Sequence, residues 1–246
     1  MIPKIIHFCW LSDDPYPKKI QFCLDTWKKK LPDYQIMLWD FNRFPKDKSV
    51  WVSEAFDARK YAFAADYIRF YALYNYGGIY LDSDVEVIKN FDDFLHLPYM
   101  FGQESYLDNI EAAVMGAEKG FAPFKKMLDY YEGRHFVNED GSMNTTPVPM
   151  LMTEILCKDR KLKSIESVGA FSDDDSCFCI FPKDFFSPVH LLTNKLEKTP
   201  RTVAIHHFAA SWESPMYKFK KKIQRLLGHR LTLAIISAKA FVKGSK

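Results

Sequence analysis

The sequence predicts an α/β fold with a single core, and three observations carry that prediction. Strand-like and helix-like periodicities alternate within the first forty residues. A long apolar helical stretch is cut off by Gly77-Gly78 and followed at once by the strand-like Ile79-Tyr80-Leu81. The composition, with 48% hydrophobic and 26% charged residues and only 10 glycines in 246, is that of an ordinary globular chain long enough to bury a core. Disordered, collagen-like and low-complexity classes are thereby excluded.

Lys4-Ile5-Ile6-His7-Phe8-Cys9-Trp10 reads as a buried strand, and Pro15 and Pro17 clear the way for a helix. That helix carries Ile20, Cys23, Leu24, Trp27 and Leu31 at the spacing of one apolar stripe. Gln35-Ile36-Met37-Leu38-Trp39 follows as a second strand, and in open α/β sheets ligands bind outside the carboxyl ends of strands, where Trp10 lies. Residues 58–76 read as one long helix stopped by Gly77-Gly78, which can take left-handed cap conformations. With only that turn between them, helix and strand should run antiparallel. Asp66 lies about 15 Å from the turn at 1.5 Å per helical residue, and Asp84 about 16 Å from it at 3.3 Å per strand residue. Asp66, Arg69, Asp82 and Asp84 should therefore converge on one rim. Further on, a helix is expected near residues 121–131, a strand at 99–103, a polar loop at 138–149, an acidic loop at 173–175 and a strand at 202–206, with no internal repeat.

Asp82-Ser83-Asp84 has a definite chemical use. If the strand persists that far, residues two apart share a side and both carboxylates can face one cation. Oxygen ligands suit Mg2+ or Mn2+, often shared with substrate phosphates, where the cation neutralises a departing diphosphate. An isolated Asp-x-Asp is most often a solvated turn; Asp66 and Arg69 beside it favour a site. A phosphatase-type Asp-x-Asp-x-Thr/Val pattern fails because its last position is Glu86. Asp66 and Arg69 alone could be a surface ion pair, and Trp10 alone could be core. Of His206 and His207, strand alternation lets only one face the site, and His206 is favoured.

The segments Ile2-Pro3-Lys4-Ile5-Ile6-His7-Phe8-Cys9-Trp10, Ala62-Phe63-Ala64-Ala65-Asp66-Tyr67-Ile68-Arg69, Tyr76-Gly77-Gly78-Ile79-Tyr80-Leu81-Asp82-Ser83-Asp84 and Ile205-His206-His207-Phe208 with Ser211-Trp212 occur in that order. Together they resemble the family-32 glycosyltransferases, bacterial capsule and lipopolysaccharide sugar transferases related to yeast initiating mannosyltransferases and more distantly to clostridial glucosylating toxins. The resemblance implies a glycosyltransferase-A fold, a Rossmann-like mixed sheet flanked by helices. It also implies a nucleotide-sugar donor, UDP-linked before GDP-linked, Mn2+ or Mg2+, and retention of the anomeric configuration. By position, Trp10 would stack on the base, and Asp66 and Arg69, with Tyr80 nearby, would hold the donor sugar and diphosphate. Asp82 would bind ribose or metal, Asp84 metal, the His206-His207 pair a further metal position, and Ser211 with Trp212 would close over the diphosphate. The family usually has Ser where Ala65 stands and Trp where Phe208 stands. Glu104, Asp108 and Asn109 are placed to meet the acceptor. The rival readings are a nucleotide-sugar hydrolase and a catalytically silent membrane-associated scaffold.

Charge divides the chain into an expected catalytic domain, residues 1–215, and a basic amphipathic helical tail, residues 216–246. Of 34 Lys and Arg, nine lie in the tail, which has no Asp or Glu, so residues 1–215 carry 25 basic against all 31 acidic residues. Such a tail suits an anionic membrane surface, and the acidic body argues against nucleic acid. Five cysteines, an odd number with no metal-binding spacing, read as thiols of a reducing compartment. The first residues do not read as a signal peptide. The expected location is cytoplasmic, peripheral at the inner membrane face, with a lipid-linked or oligosaccharide acceptor.

Overall fold

A computed structural model describes residues 1–105, 108–172, 174–190 and 195–209. In chain order its elements are β1 (Ile5–Cys9), α1 (Lys18–Lys30), β2 (Gln35–Trp39), α2 (Val50–Asp57), α3 (Tyr61–Tyr76), β3 (Gly78–Leu81), β4 (Val85–Val87), β5 (Tyr99–Gln103), β6 (Ile110–Ala117), α4 (Ala122–Tyr131), α5 (Val148–Leu156), β7 (Lys161–Ser164), β8 (Cys177–Ile180) and β9 (Ala204–His206). Five strands make one sheet in the order β2-β1-β3-β6-β5. β1 pairs in parallel with β2 and β3, whereas β6 runs antiparallel to both β3 and β5. The α/β prediction holds, with a mixed sheet flanked by helices. β4 with β9, and β7 with β8, form two further ladders.

Strand alternation distributes the core over both faces. Ile6 and Phe8 of β1 meet Ile20, Leu24 and Trp27 of α1 and Ile79 and Leu81 of β3. On the other face Trp39 packs with Trp51 of α2 and with Ile68, Phe70 and Leu73 of α3. Each such aliphatic or Phe side chain contributes about 1.5–3 kcal/mol on burial. Trp27 is fully buried because its indole N–H also finds a partner, the Val85 carbonyl at 2.7 Å.

The expected helix over 58–76 is α3, which begins only at Tyr61; α2 lies wholly before that span. Arg59 takes a left-handed φ of +57°, with Lys60 N–H turned back to the Ala55 carbonyl, and the chain restarts as α3. At the other end of α3 both glycines are required. Gly77 (φ +66°) closes the helix through its N–H to Leu73, and a Cβ on Gly78 (φ +107°) would lie 2.6 Å from the Ile5 carbonyl oxygen. His7 pins this turn: Nε2 donates to the Gly77 carbonyl at 2.7 Å, and Nδ1 accepts from the Trp39 indole at 3.0 Å.

The strand expected at 99–103 is β5 and the helix near 121–131 is α4. The late strand is only β9, three residues. The loop over 138–149 runs into α5, and α5, β7 and β8 are short elements that no distinct period marks in the sequence. Asp173, Ser211, Trp212 and the whole basic tail lie outside the described residues. No described helix is long and apolar enough to cross a membrane.

Candidate active site

β3 ends at Leu81, one residue before the first aspartate. Asp82-Ser83-Asp84 is therefore a turn, closed by Val85 N–H to the Asp82 carbonyl at 3.0 Å, and the extended geometry expected of it is corrected. The turn, not strand alternation, directs both carboxylates to one side. β4 begins straight after it and pairs antiparallel with β9, setting Val85 opposite His206. That register delivers an imidazole to the aspartates: ligand atoms of Asp82, Asp84 and His206 all lie within 4.8 Å of one another. His207 is not brought to this group. It projects the other way, and its Nε2–H donates to Glu86 at 2.8 Å.

The segment after β9 wraps Asp84. His207 N–H donates to the Asp84 carbonyl at 3.2 Å, and Ala209 N–H to its Oδ2 at 2.7 Å. Phe208 makes this path possible with a φ of +48°, a conformation costing a bulky residue about 1–3 kcal/mol. Its ring lies 3.9 Å from that of His206.

Arg69 joins helix and turn. It is 4% exposed, donates to the Ala112 carbonyl at 2.7 Å, and lies 3.1 Å from Asp66 and 3.4 Å from Asp82. These pairs bear out the antiparallel counting of helix against strand. The guanidinium stands 4.7 Å over the Tyr80 ring. Tyr80 is 1% exposed, so it supports Arg69 from beneath and does not line the open rim as a donor contact. Trp10 lies at the same sheet end, half-buried and edge-on to Tyr16, with its indole N–H on the Asp14 carbonyl.

β6, which is irregular, supplies the backbone partners. While β5 advances two residues, from Phe101 to Gln103, β6 advances five, between Met115 and Ile110. The extra length leaves the Ala112 carbonyl to Arg69, while on the other edge of β6 the Ala113 carbonyl continues the β3 ladder to Asp82 N–H at 2.9 Å. It also sets Glu111 beside His206, 3.6 Å from Nδ1. Sequence reading passed over Glu111, although a lone acid in an otherwise apolar eight-residue strand was a signal. Glu104, expected to meet the acceptor, accepts from Asn109 at 3.1 Å, and its carboxyl is raised by burial, with Glu111 adding to the rise.

Carboxylates outnumber cations here. Burial lowers the His206 pKa, but Asp84, Glu111 and Asp82 overcome it and hold it at about 9. Burial pushes Asp66 up to about 7, against the pull of Arg69, and also raises Asp82. Buried Nδ1 of His206 and Nε of Arg69 lack hydrogen-bond partners. Two carboxylates and an imidazole, in surplus negative charge, fit a divalent cation of the Mn2+ or Mg2+ kind.

Residues 17–101 match the family model described as a glycosyltransferase sugar-binding region containing a DXD motif. The chain is 35% identical over 126 residues to inositol phosphoceramide mannosyltransferase 3 of Schizosaccharomyces pombe, covering 48% of this chain and 34% of that protein. It is 31% identical over 147 residues to mannosyl phosphorylinositol ceramide synthase SUR1 of Saccharomyces cerevisiae, covering 56% and 37%. It thus spans about a third of the length of these relatives. Among solved structures it is similar to the PaToxG glycosyltransferase, with a TM-score of 0.48 and 21% identity over 64% of this chain and 68% of that one. This chain is related to the DXD-motif glycosyltransferases, the family with whose sugar-binding region residues 17–101 align.

Proposed function

We propose that this chain is a metal-dependent, retaining glycosyltransferase that moves a hexose from a nucleotide-sugar to a lipid-linked glycan or glycolipid acceptor. The observation that carries the reading is the convergence of Asp82, Asp84 and His206 within 4.8 Å, beside Arg69 and at the carboxyl end of β3. Asp82, Asp84 and His206 would hold Mn2+ or Mg2+, which when bound supplies positive charge to a departing diphosphate. Arg69 keeps Asp82 in place and adds a fixed positive charge to the same rim, while Asp66 fixes the guanidinium. Trp10 offers an aromatic face for a base; Glu104 and Asn109 lie on the acceptor side. Retention by same-face attack asks no carboxylate nucleophile of the chain.

The relatives' names speak of mannosyl transfer to inositol phosphoceramide, which supports a lipid-borne acceptor and adds mannose to the UDP-linked hexoses as a donor sugar. A role in bacterial surface polysaccharide synthesis rests on the resemblance of the sequence blocks. The basic residues 216–246 support attachment to the inner face of a membrane, read out by liposome partitioning of the chain with and without them.

Calorimetric titration of UDP and GDP in Mn2+, repeated in EDTA, tests the reading. Binding that EDTA abolishes supports it and selects the sugar panel; no binding to the folded chain leaves the scaffold. In turnover assays, sugar reaching only water would make the enzyme a hydrolase.

A further inference from the structure

Glu111 carries a charge that neither the fold nor the proposed reaction has yet used. It is 2% exposed, in a strand whose eight residues are all buried, and a carboxylate so placed is strongly unfavourable without partners. Two donors are fixed. Ala113 N–H reaches Oε1 at 2.8 Å, and the hydroxyl of Ser187, itself fully buried, reaches Oε2 at 2.6 Å. The remaining neighbour is His206, whose Nδ1 lies 3.6 Å from Oε1. That nitrogen is buried and has no hydrogen-bond partner. On the opposite side of the ring, Nε2 lies 3.5 Å from Asp84 Oδ1. The imidazole is thus bracketed between one carboxylate that is locked in the sheet and another that belongs to the turn.

We propose that Glu111 is a positioning residue: it takes the Nδ1–H of His206 and so turns Nε2 toward the cation held by Asp82 and Asp84. The proposal rests on the reading of Asp82, Asp84 and His206 as a cation site. A carboxylate behind a ligating histidine fixes its tautomer and ring orientation. Glu111 is poorly suited to ligate directly, because both its oxygens are engaged by Ala113 and Ser187. Ser187 in turn fixes the plane of the carboxylate, so three residues from β6, β9 and the segment before β9 act as one support.

The test is titration of the full chain with Mn2+ alone, following free Mn2+ by electron paramagnetic resonance, for wild type, Glu111→Gln, His206→Ala and Asp84→Asn. Glu111→Gln is expected to weaken Mn2+ binding about 10–100-fold with an unchanged unfolding midpoint, the usual loss when such a partner is removed. Wild-type affinity in Glu111→Gln, with His206→Ala and Asp84→Asn impaired, would overturn the positioning role and leave the cation site standing. Absence of Mn2+ binding by wild type, or full affinity in His206→Ala and Asp84→Asn, would overturn the cation site and the inference with it. Should Glu111→Gln fail to fold, imidazole nitrogen resonances of His206 in the Mg2+-loaded wild type decide. A proton on Nδ1 supports the proposal, and a proton on Nε2 alone overturns it.

Discussion

His7 and His206 both sit in largely buried surroundings at the sheet, yet they are treated in opposite ways. Each nitrogen of His7 has a neutral partner at hydrogen-bond distance, the Gly77 carbonyl at 2.7 Å and the Trp39 indole at 3.0 Å. Burial dominates there and lowers the pKa to about 4, so the ring is a neutral peg. Each nitrogen of His206 faces a carboxylate, at 3.5 and 3.6 Å, with no tight bond made. The carboxylates outweigh burial and hold the ring charged to about pH 9. A satisfied histidine is architecture; one held among surplus carboxylates, with its bonds unmade, is a place prepared for another charge.

The most severe break should come at the prepared site. Asp84→Ala is expected to lower metal-dependent turnover about 10³-fold, since the charge a bound cation supplies is worth several kcal/mol; the circular dichroism spectrum should not change, and full activity would sink the cation reading. Next in size is Arg69→Ala, which leaves Asp66 buried beside Asp82 without its counter-charge. Unfolding in urea should show a loss of about 3–5 kcal/mol.

On the architectural side, the folded chain resists protonating His7 down to about pH 4, whereas the unfolded chain takes the proton near 6.5. Its contribution is complete above 6.5 and is lost progressively as pH falls to about 4, amounting to roughly 3 kcal/mol. Urea unfolding between pH 7 and 4 should therefore be steeper in pH for wild type than for His7→Gln, and equal slopes would contradict the neutral-peg assignment. The smallest effect is expected at His207, whose partner Glu86 lies off the site. His207→Gln should cost about 0.2–1 kcal/mol and leave Mn2+ affinity unaltered, whereas His206→Ala should lose it.

Much of this was legible in order along the chain. The apolar stripe of α1, the strands flanking it and the glycine pair after α3 are local signals, each readable within about fifteen residues. The height of Asp66 and Arg69 against the aspartates followed from helix and strand rise, because a two-glycine turn leaves little freedom. Less legible were the break at Arg59, where one helix reading hid a left-handed residue, and the end of β3 at Leu81, which made a turn of an expected strand.

What the sequence by itself determined, then, is the α/β order of elements and the chemistry of the rim: two aspartates two residues apart after one strand and an acid-base pair on one face of the preceding helix. Tertiary structure decided which histidine joins them, since that depends on β9 pairing with β4 across about 120 residues. It also decided that Tyr80 lies beneath Arg69, and that Glu111 and Ser187, 76 residues apart, meet behind His206. Periodicity is set by the backbone of neighbouring residues and is written locally. Register between distant strands is set by the packing of the whole core and the irregularity in β6, and no short stretch of sequence contains it.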